Sequence, residues 1–321
     1  MGKQILAIWI AATALLIAAP AFPQSDVPSD KPSSPASKAS GQGQAVVTIL
    51  AKHSELPVNV SQQDVTIKVD GKPSMVTSWV PLRGANDKLE LVLLIDSSAR
   101  NLDGSQFDEI KNFLQALTPS AKVAVAYMQN GRAVLAGPLS VDRAQTLRSL
   151  HLAMGPTASP YFSLSDLAQH WPSADRHARR EVILVTDGVE PYNHGYDPNN
   201  SYVQAAIDDS VRAGLVVYSI YWKGRNRTVA SSGLNDAGQN YLVEVTQATG
   251  GTSYWTGTDN PVSFQPYFED LVRRLDNQYE LGFSASLRSK PVIEALRLKF
   301  GGFAAEVAAP QQVLVDRTTT E

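Results

Sequence analysis

LVLLIDSSAR, residues Leu91–Arg100, is the stretch on which the reading of this chain turns. An unbroken apolar run stops at Asp96 and is followed by Ser97, Ser98, Ala99 and Arg100. A continuous run of this kind is the pattern of a strand covered on both faces, as in a parallel sheet. Asp96-x-Ser98 supplies two oxygen-bearing positions of an Asp-x-Ser-x-Ser metal-binding fingerprint, but Arg100 occupies the third. Three readings stay open at this point: a metal site, a damaged one, and the plain end of a buried strand.

Working outward, apolar strands alternate with helical stretches. Ser105–Leu117 carries Phe107, Ile110, Phe113, Leu114 and Leu117 at helical spacing. AKVAVAYMQ (121–129) reads as a strand, and Asn130-Gly131 signals a hairpin into RAVLAG (132–137). Asp142–Leu152 is expected to be helical. EVILVTDG (181–188) is a second buried strand ending in Asp187-Gly188. A helix over Tyr202–Ala213 should close on Gly214, followed by the strand LVVYSIYW (215–222). Tyr241–Thr249, Thr252–Thr256 and Val262–Leu275 complete the series as helix, strand and helix. Such alternation predicts an α/β fold: a doubly wound, mainly parallel sheet with helices on both faces.

The flanks are different. AVVTILAK (45–52), DVTIKVDGKPSMVTSWV (64–80), QYELGFSASL (278–287), VIEALRLKF (292–300) and QVLVD (312–316) are strand-like, and Asp70-Gly71 marks a turn. Neither flank has enough strands to be stable alone. The two ends are therefore expected to meet in one additional β-sandwich, with the α/β unit inserted into it. The expected organisation is a signal peptide over 1–24, a disordered linker over 25–44, the first part of the sandwich over 45–87, the α/β domain over 88–277 and the second part of the sandwich over 278–317.

The first residues read as an export signal. Lys3 precedes the apolar Ile5–Ala18, which is short for a membrane span, and Ala19-Pro20-Ala21 fits a small-x-small cleavage pattern. The alternative is an uncleaved anchor; no stable membrane span is expected in the mature chain. Residues 25–44 are rich in Ser, Pro, Gly and Lys, with little to bury. The 321 residues include 28 basic and 31 acidic side chains without a long basic block, so nucleic acid is not an expected partner. There is no cysteine, which removes disulfides and thiolate zinc sites and leaves the core to hold an exported protein together.

In a parallel sheet, ligands gather outside the carboxyl ends of the strands. Asp96 and Asp187 should both end on that rim. The ordered set of strand–Asp-x-Ser, hairpin, strand–VTDG and late ATGGT resembles the von Willebrand factor type A (VWA) domain over about residues 88–278. With VSQQDVTIKVDGKPSMVTSW before it and NQYELGFSAS after it, the chain resembles the exported bacterial VWFA-related subgroup. The resemblance implies a metal-ion-dependent adhesion site in which Asp96, Ser98 and Asp187 match ligand positions. Thr157 is the candidate for the threonine position, with Ser159 and Ser163 as rivals, because extra residues separate Thr157 from Asp166. Arg100 departs from the pattern. A guanidinium about 5 Å from a divalent ion would repel it by several kcal/mol at an effective dielectric near 20. The favoured reading is a degenerate site in which Arg100 lies over Asp96 and Asp187 and neutralises them. No cofactor is then expected; a weak Mg2+ site is the alternative.

Loops on the same rim carry Tyr161, Phe162, Tyr192, His194 and Tyr196, and exposed tyrosines suit protein contacts. The expected partner-binding set is Tyr161, Tyr192, His194 and Tyr196. KGRNRTVASSGLNDAGQN (223–240) reads as a long polar loop. No His-Glu-x-x-His or Gly-x-Ser-x-Gly motif is present, so no enzyme is expected. The expected function is an exported, non-enzymatic protein-binding or adhesion module in the periplasm, secreted or at the cell surface. The alternatives are a Mg2+-dependent adhesion protein and an inert structural envelope component.

Overall fold

The structure is a computed structural model that describes residues 40–52, 59–96, 99, 101–102, 104–154, 159–193, 195–224, 232–254, 257, 259–286, 290–301 and 305–317. The expected signal segment, residues 1–24, and residues 25–39 of the expected linker lie outside them.

The stretch that opened the sequence analysis forms β4 (Leu89–Ile95), and all seven of its residues are buried. It lies between β5 (Lys122–Gln129) and β7 (Arg179–Thr186), parallel to both. β8 (Leu215–Tyr221) and β9 (Ser253–Tyr254) extend the sheet in the same sense. β6 (Arg132–Leu135) is antiparallel, joined to β5 through Asn130 and Gly131 at φ 50° and 74°. Two consecutive positive φ values are what a two-residue hairpin of matching twist requires. The order is β6-β5-β4-β7-β8-β9, a mixed α/β sheet.

Helices cover both faces. α1 (Gly104–Ala116) and α6 (Gln265–Leu275) bury Ile110, Phe113, Phe268 and Leu271 against one face, with α2 (Arg143–Arg148) at the side through Leu147. On the other face lie α3 (Pro160–Gln169), α4 (Ser201–Ala213) and α5 (Ser232–Thr249), which bury Leu164, Ile207, Leu242 and Val245. Gly214 closes α4 at φ 68°. Two of these helices depart from the sequence reading. α3 occupies residues read as an irregular loop, although Ser159 caps its first turn and Pro160 sits where its missing N–H costs nothing. α5 starts at Ser232, nine residues before Tyr241, so the second half of the expected polar loop is helical. Among the described residues, no helix is long and apolar enough to cross a membrane.

The two ends of the chain do meet, but not as a sandwich. β1 (Ser40–Ala51), β2 (Val65–Val69), β3 (Lys72–Pro81), β10 (Gln278–Ser286), β11 (Val292–Phe300) and β13 (Gln312–Arg317) pair antiparallel in the order β10-β3-β2-β11-β13-β1. β1 then pairs with β10 and closes the ring. β12 (Ala305–Ala308) adds to the outer end of β1. A closed ring has no free edge to protect, and six strands fill their interior with Val47, Ile49, Ile67, Leu281, Phe283 and Val315. The expected linker also ends earlier than residue 44, because β1 begins at Ser40. Gly43 belongs inside the ring: a Cβ there would lie 2.4 Å from the Phe283 ring.

Arg179 fastens the ring to the sheet. Its guanidinium donates to Leu275 O at 2.7 Å, Gln278 Oε1 at 2.5 Å and Asp87 Oδ1 at 2.7 Å.

Candidate functional site

β4 pairs on one side with the strand that follows it and on the other with β7, so the connections leave in opposite directions at the β4/β7 boundary. Such a switch point opens a crevice at the carboxyl ends of the strands. Asp96 and Asp187 stand there, and both are almost fully buried. Asp96 N donates to Val185 O at 3.0 Å, continuing the ladder one residue past the strand. Its Oδ2 accepts from Thr186 Oγ1 at 2.8 Å, and that hydroxyl in turn accepts from Gly188 N at 3.1 Å. Asp187 Oδ1 accepts from Val189 N at 3.0 Å.

Of the expected metal site, Asp96, Asp187 and the two rivals to Thr157 lie among the described residues. Ser98, Arg100, Thr157 and His194 lie outside the described residues. Of the two rivals to Thr157, Ser163 turns back into α3 and donates to Ser159 O at 3.4 Å. Ser159 spends its hydroxyl on Phe162 N, which it caps at 3.3 Å, and on Glu190, to which it donates. Among the described residues no group of three or more His, Asp or Glu converges as a metal-holding set. A hard divalent ion takes about six oxygens. Asp96 and Asp187 each commit at least one oxygen to a bond from the protein, and two carboxylates by themselves do not make up that number.

Beside them lies the β7–α4 connection, residues 187–200, whose described residues form neither helix nor strand. Buried anchors hold it. Tyr161 Oη donates to Gly188 O at 2.6 Å. Glu190, 1% exposed, accepts from Ser159 and from Tyr192 N at 3.0 Å. Tyr241 Oη accepts from Asp197 N at 2.8 Å and donates to Gly195 O at 2.9 Å. Asn200 Oδ1 accepts from Tyr202 N and Val203 N and starts α4. Burial pushes the Glu190 carboxyl above its ordinary range, against the pull of Ser159 and the Tyr192 amide. Burial also drives the Tyr161 phenol well above its ordinary value, reinforced by Glu190 and Asp187.

Tyr161 therefore cannot touch a partner. It is fully buried, where the sequence reading placed it on the binding surface. Residue 161 falls on the inner side of a helix rather than on a loop, and its neighbour Phe162 takes the outer position. Tyr192 and Tyr196 are as expected at the surface, 67% and 46% exposed. Tyr202, 38% exposed, joins them unforeseen. Phe162, Tyr192 and Tyr202 form a mutual cluster with ring centroids 5.8, 4.8 and 6.0 Å apart. The Tyr196 hydroxyl donates to Glu244 on α5, a bond that pushes the phenol up to about 12. The sequence signals for the missed positions were the Ser159-Pro160 helix start, which sets the phase of α3 and so of Phe162, and Asn200, which caps α4 and puts Tyr202 in its first turn.

The sheet order and the helices on both faces give a VWA-like α/β fold, here joined to a closed β ring. No family model matches the sequence, and no curated protein is matched by it. Solved structures are matched. An aerotolerance-related membrane protein from Bacteroides fragilis NCTC 9343, with multiple mutations to serines, is 16% identical with a TM-score of 0.42, over 59% of this chain and 98% of that one. The SpRpn10 VWA domain is 12% identical with a TM-score of 0.38, over 57% and 95%. The pilus adhesin SpaC from Lactobacillus rhamnosus GG, in its open conformation, is 11% identical with a TM-score of 0.41, over 84% and 47%.

Proposed function

We propose that this chain is an exported, non-enzymatic protein-binding module, in the periplasm or at the cell surface. It engages a protein partner through the loops at the carboxyl edge of the six-stranded sheet. The observation that carries this reading is the β7–α4 loop. It is fastened from beneath by Tyr161, Glu190 and Tyr241, yet it turns Tyr192 and Tyr196 outward. A loop already held in shape loses little freedom on binding, which favours affinity. Large exposed tyrosines are the residue type that concentrates binding energy. The Ser159–Glu190 pair joins a hydroxyl to a carboxylate, but both are 1% exposed and serve as cap and anchor rather than as nucleophile and base. In this reading the metal-ion-dependent adhesion site is degenerate, because Arg100 stands where the fingerprint needs a second serine. The adjacency of Asp96 and Asp187 at the switch point favours a second reading, a weak Mg2+-dependent adhesion site.

Benzoylphenylalanine installed at position 192 tests both. Irradiation in extract of the producing cells should yield a discrete adduct, absent when the probe sits at the exposed Thr66 of the ring. The yield should be the same with EDTA and with magnesium. Equal labelling from both positions would remove the docking reading, and a yield abolished by EDTA would replace it with the metal-dependent one.

A further inference from the structure

Charge on this molecule is segregated. Residues 160–169, 187–213 and 232–249, which hold α3, the anchored loop with α4, and α5, contain eight acidic side chains and one basic one, Arg212. That is a net −7 in a chain of net −3, so the remainder carries +4. All three helices pack on the same face of the sheet; Asp187 and Glu190 are buried, and the six remaining carboxylates with Arg212 leave a net −5 on that side of the domain. Asp208 and Asp236 are exposed, Asp197 and Glu244 half-buried. Among the described residues no lysine or arginine forms an ion pair with any of these four. The Phe162–Tyr192–Tyr202 cluster stands on this face, at the rim end of α3 and α4.

We infer that this face takes a basic, arginine-bearing segment of a protein partner, with a guanidinium laid on the exposed Tyr192 ring and neighbouring cations over the α4–α5 carboxylates. The inference rests on the docking reading above and names the chemistry of what docks. A flat, weakly hydrated guanidinium stacks on an aromatic face and can still hydrogen-bond carboxylates at its edge, which a compact ammonium does less well. The chain uses the same contact internally, with Arg83 over the Tyr279 ring at 5.3 Å and Arg180 over Trp171 at 5.8 Å. A field of one sign also speeds the approach of the opposite charge and makes it salt-dependent.

Fluorescein-labelled octa-arginine, titrated against the full chain by fluorescence anisotropy, is the test, with octa-lysine and octa-glutamate as comparators. Octa-arginine should bind tightest and octa-glutamate not at all. Tyr192→Ala should weaken octa-arginine about fivefold, while Tyr192→Phe stays within about twofold, since the ring rather than the hydroxyl carries the contact. The exposed pair Asp208→Asn with Asp236→Asn should flatten the salt dependence without affecting the melting temperature. Equal binding of both cationic peptides, indifferent to Tyr192→Ala, would reduce the effect to unspecific charge and overturn the inference. So would concentration-dependent self-association abolished by Tyr192→Ala, which would make the occupant a second copy. Absence of peptide binding while the adduct at position 192 persists would overturn the cationic ligand alone. Loss of the adduct as well would remove the docking reading beneath it.

Discussion

Glu181 is an ionisable group buried in the interior. It sits on β7 at 0% exposure, and among the described residues neither carboxyl oxygen makes a hydrogen bond of full geometry; Arg179 Nε is 3.7 Å away, and Gln278 stands beside it. Burial pushes its carboxyl from 4.5 up to about 7, with Arg179 opposing the rise. The folded chain therefore holds a proton that the unfolded chain has released between those two values. Across that window stability falls as pH rises, by about 3 kcal/mol, and is level above it. Glu181→Gln should remove this component. Urea midpoints at pH 5 and pH 7.5 should converge in the variant relative to the native chain; an unchanged difference would show that the carboxyl is ionised throughout. Glu181 lies next to the Arg179 junction, so the same titration bears on how firmly ring and sheet are joined. Tyr161 teaches a related lesson about single residues: its hydroxyl holds the rim loop from inside while Phe162, one position along, is half-buried against Tyr192 and Tyr202.

At the level of elements, α5 shows packing prevailing over propensity. Its first half, SGLNDAGQN, contains two glycines, two asparagines and an aspartate, which read as loop. Gly238 explains why the segment is nonetheless helical here. A Cβ at this position would lie 2.3 Å from Asp187 O and 3.0 Å from Gly188 C, so the helix can seat on the rim loop only without a side chain. Gly238→Ala should gain up to about 1 kcal/mol of helix propensity, and lose about 1–3 kcal/mol from overpacking against backbone that cannot move aside. The net expectation is destabilisation by about 1–2 kcal/mol. Faster amide exchange at Val189, whose N–H bonds Asp187, should accompany it. A more stable variant with unchanged exchange would mean that α5 does not depend on this contact. The hairpins at Asp70-Gly71 and Asn130-Gly131 lie at the opposite extreme. Both turn at positive φ in the two positions where the local sequence asks for it.

For the molecule as a whole, the decisive feature is that the ring is built from both ends of the chain. β10 pairs with β1 and with β3, and it stacks Tyr279 on Trp79 at 4.8 Å. Gln278, at its start, receives the Arg179 guanidinium. A chain ending at Asn277 would keep β1, β2 and β3 but lose every partner that closes them, and Arg179 would lose one of its acceptors. Such a truncation should abolish the single cooperative melt and shift Trp79 emission to longer wavelength, with susceptibility to protease spreading into residues 40–81. A sharp transition retained by the truncated chain would mean that the α/β unit and the first three strands are self-sufficient.

Features that depend on near neighbours were open to inspection in the residues alone. The buried strands β4 and β7, the two hairpins, the α4 stop at Gly214 and the arrival of Asp96 and Asp187 on one rim all follow from periodicity and local turn chemistry. The closure of the flanking strands into a ring, the inward phase of Tyr161, the helical start of α5 and the place of Gly43 inside a strand became visible only in three dimensions. Each is settled by contact with atoms far away in the chain: β1 against β10, α3 against the sheet, Gly238 against Asp187, Gly43 against Phe283. A short-range pattern reports what a segment can become. Long-range packing, which removes the same apolar surface from water in more than one arrangement, selects the one in which those distant groups fit.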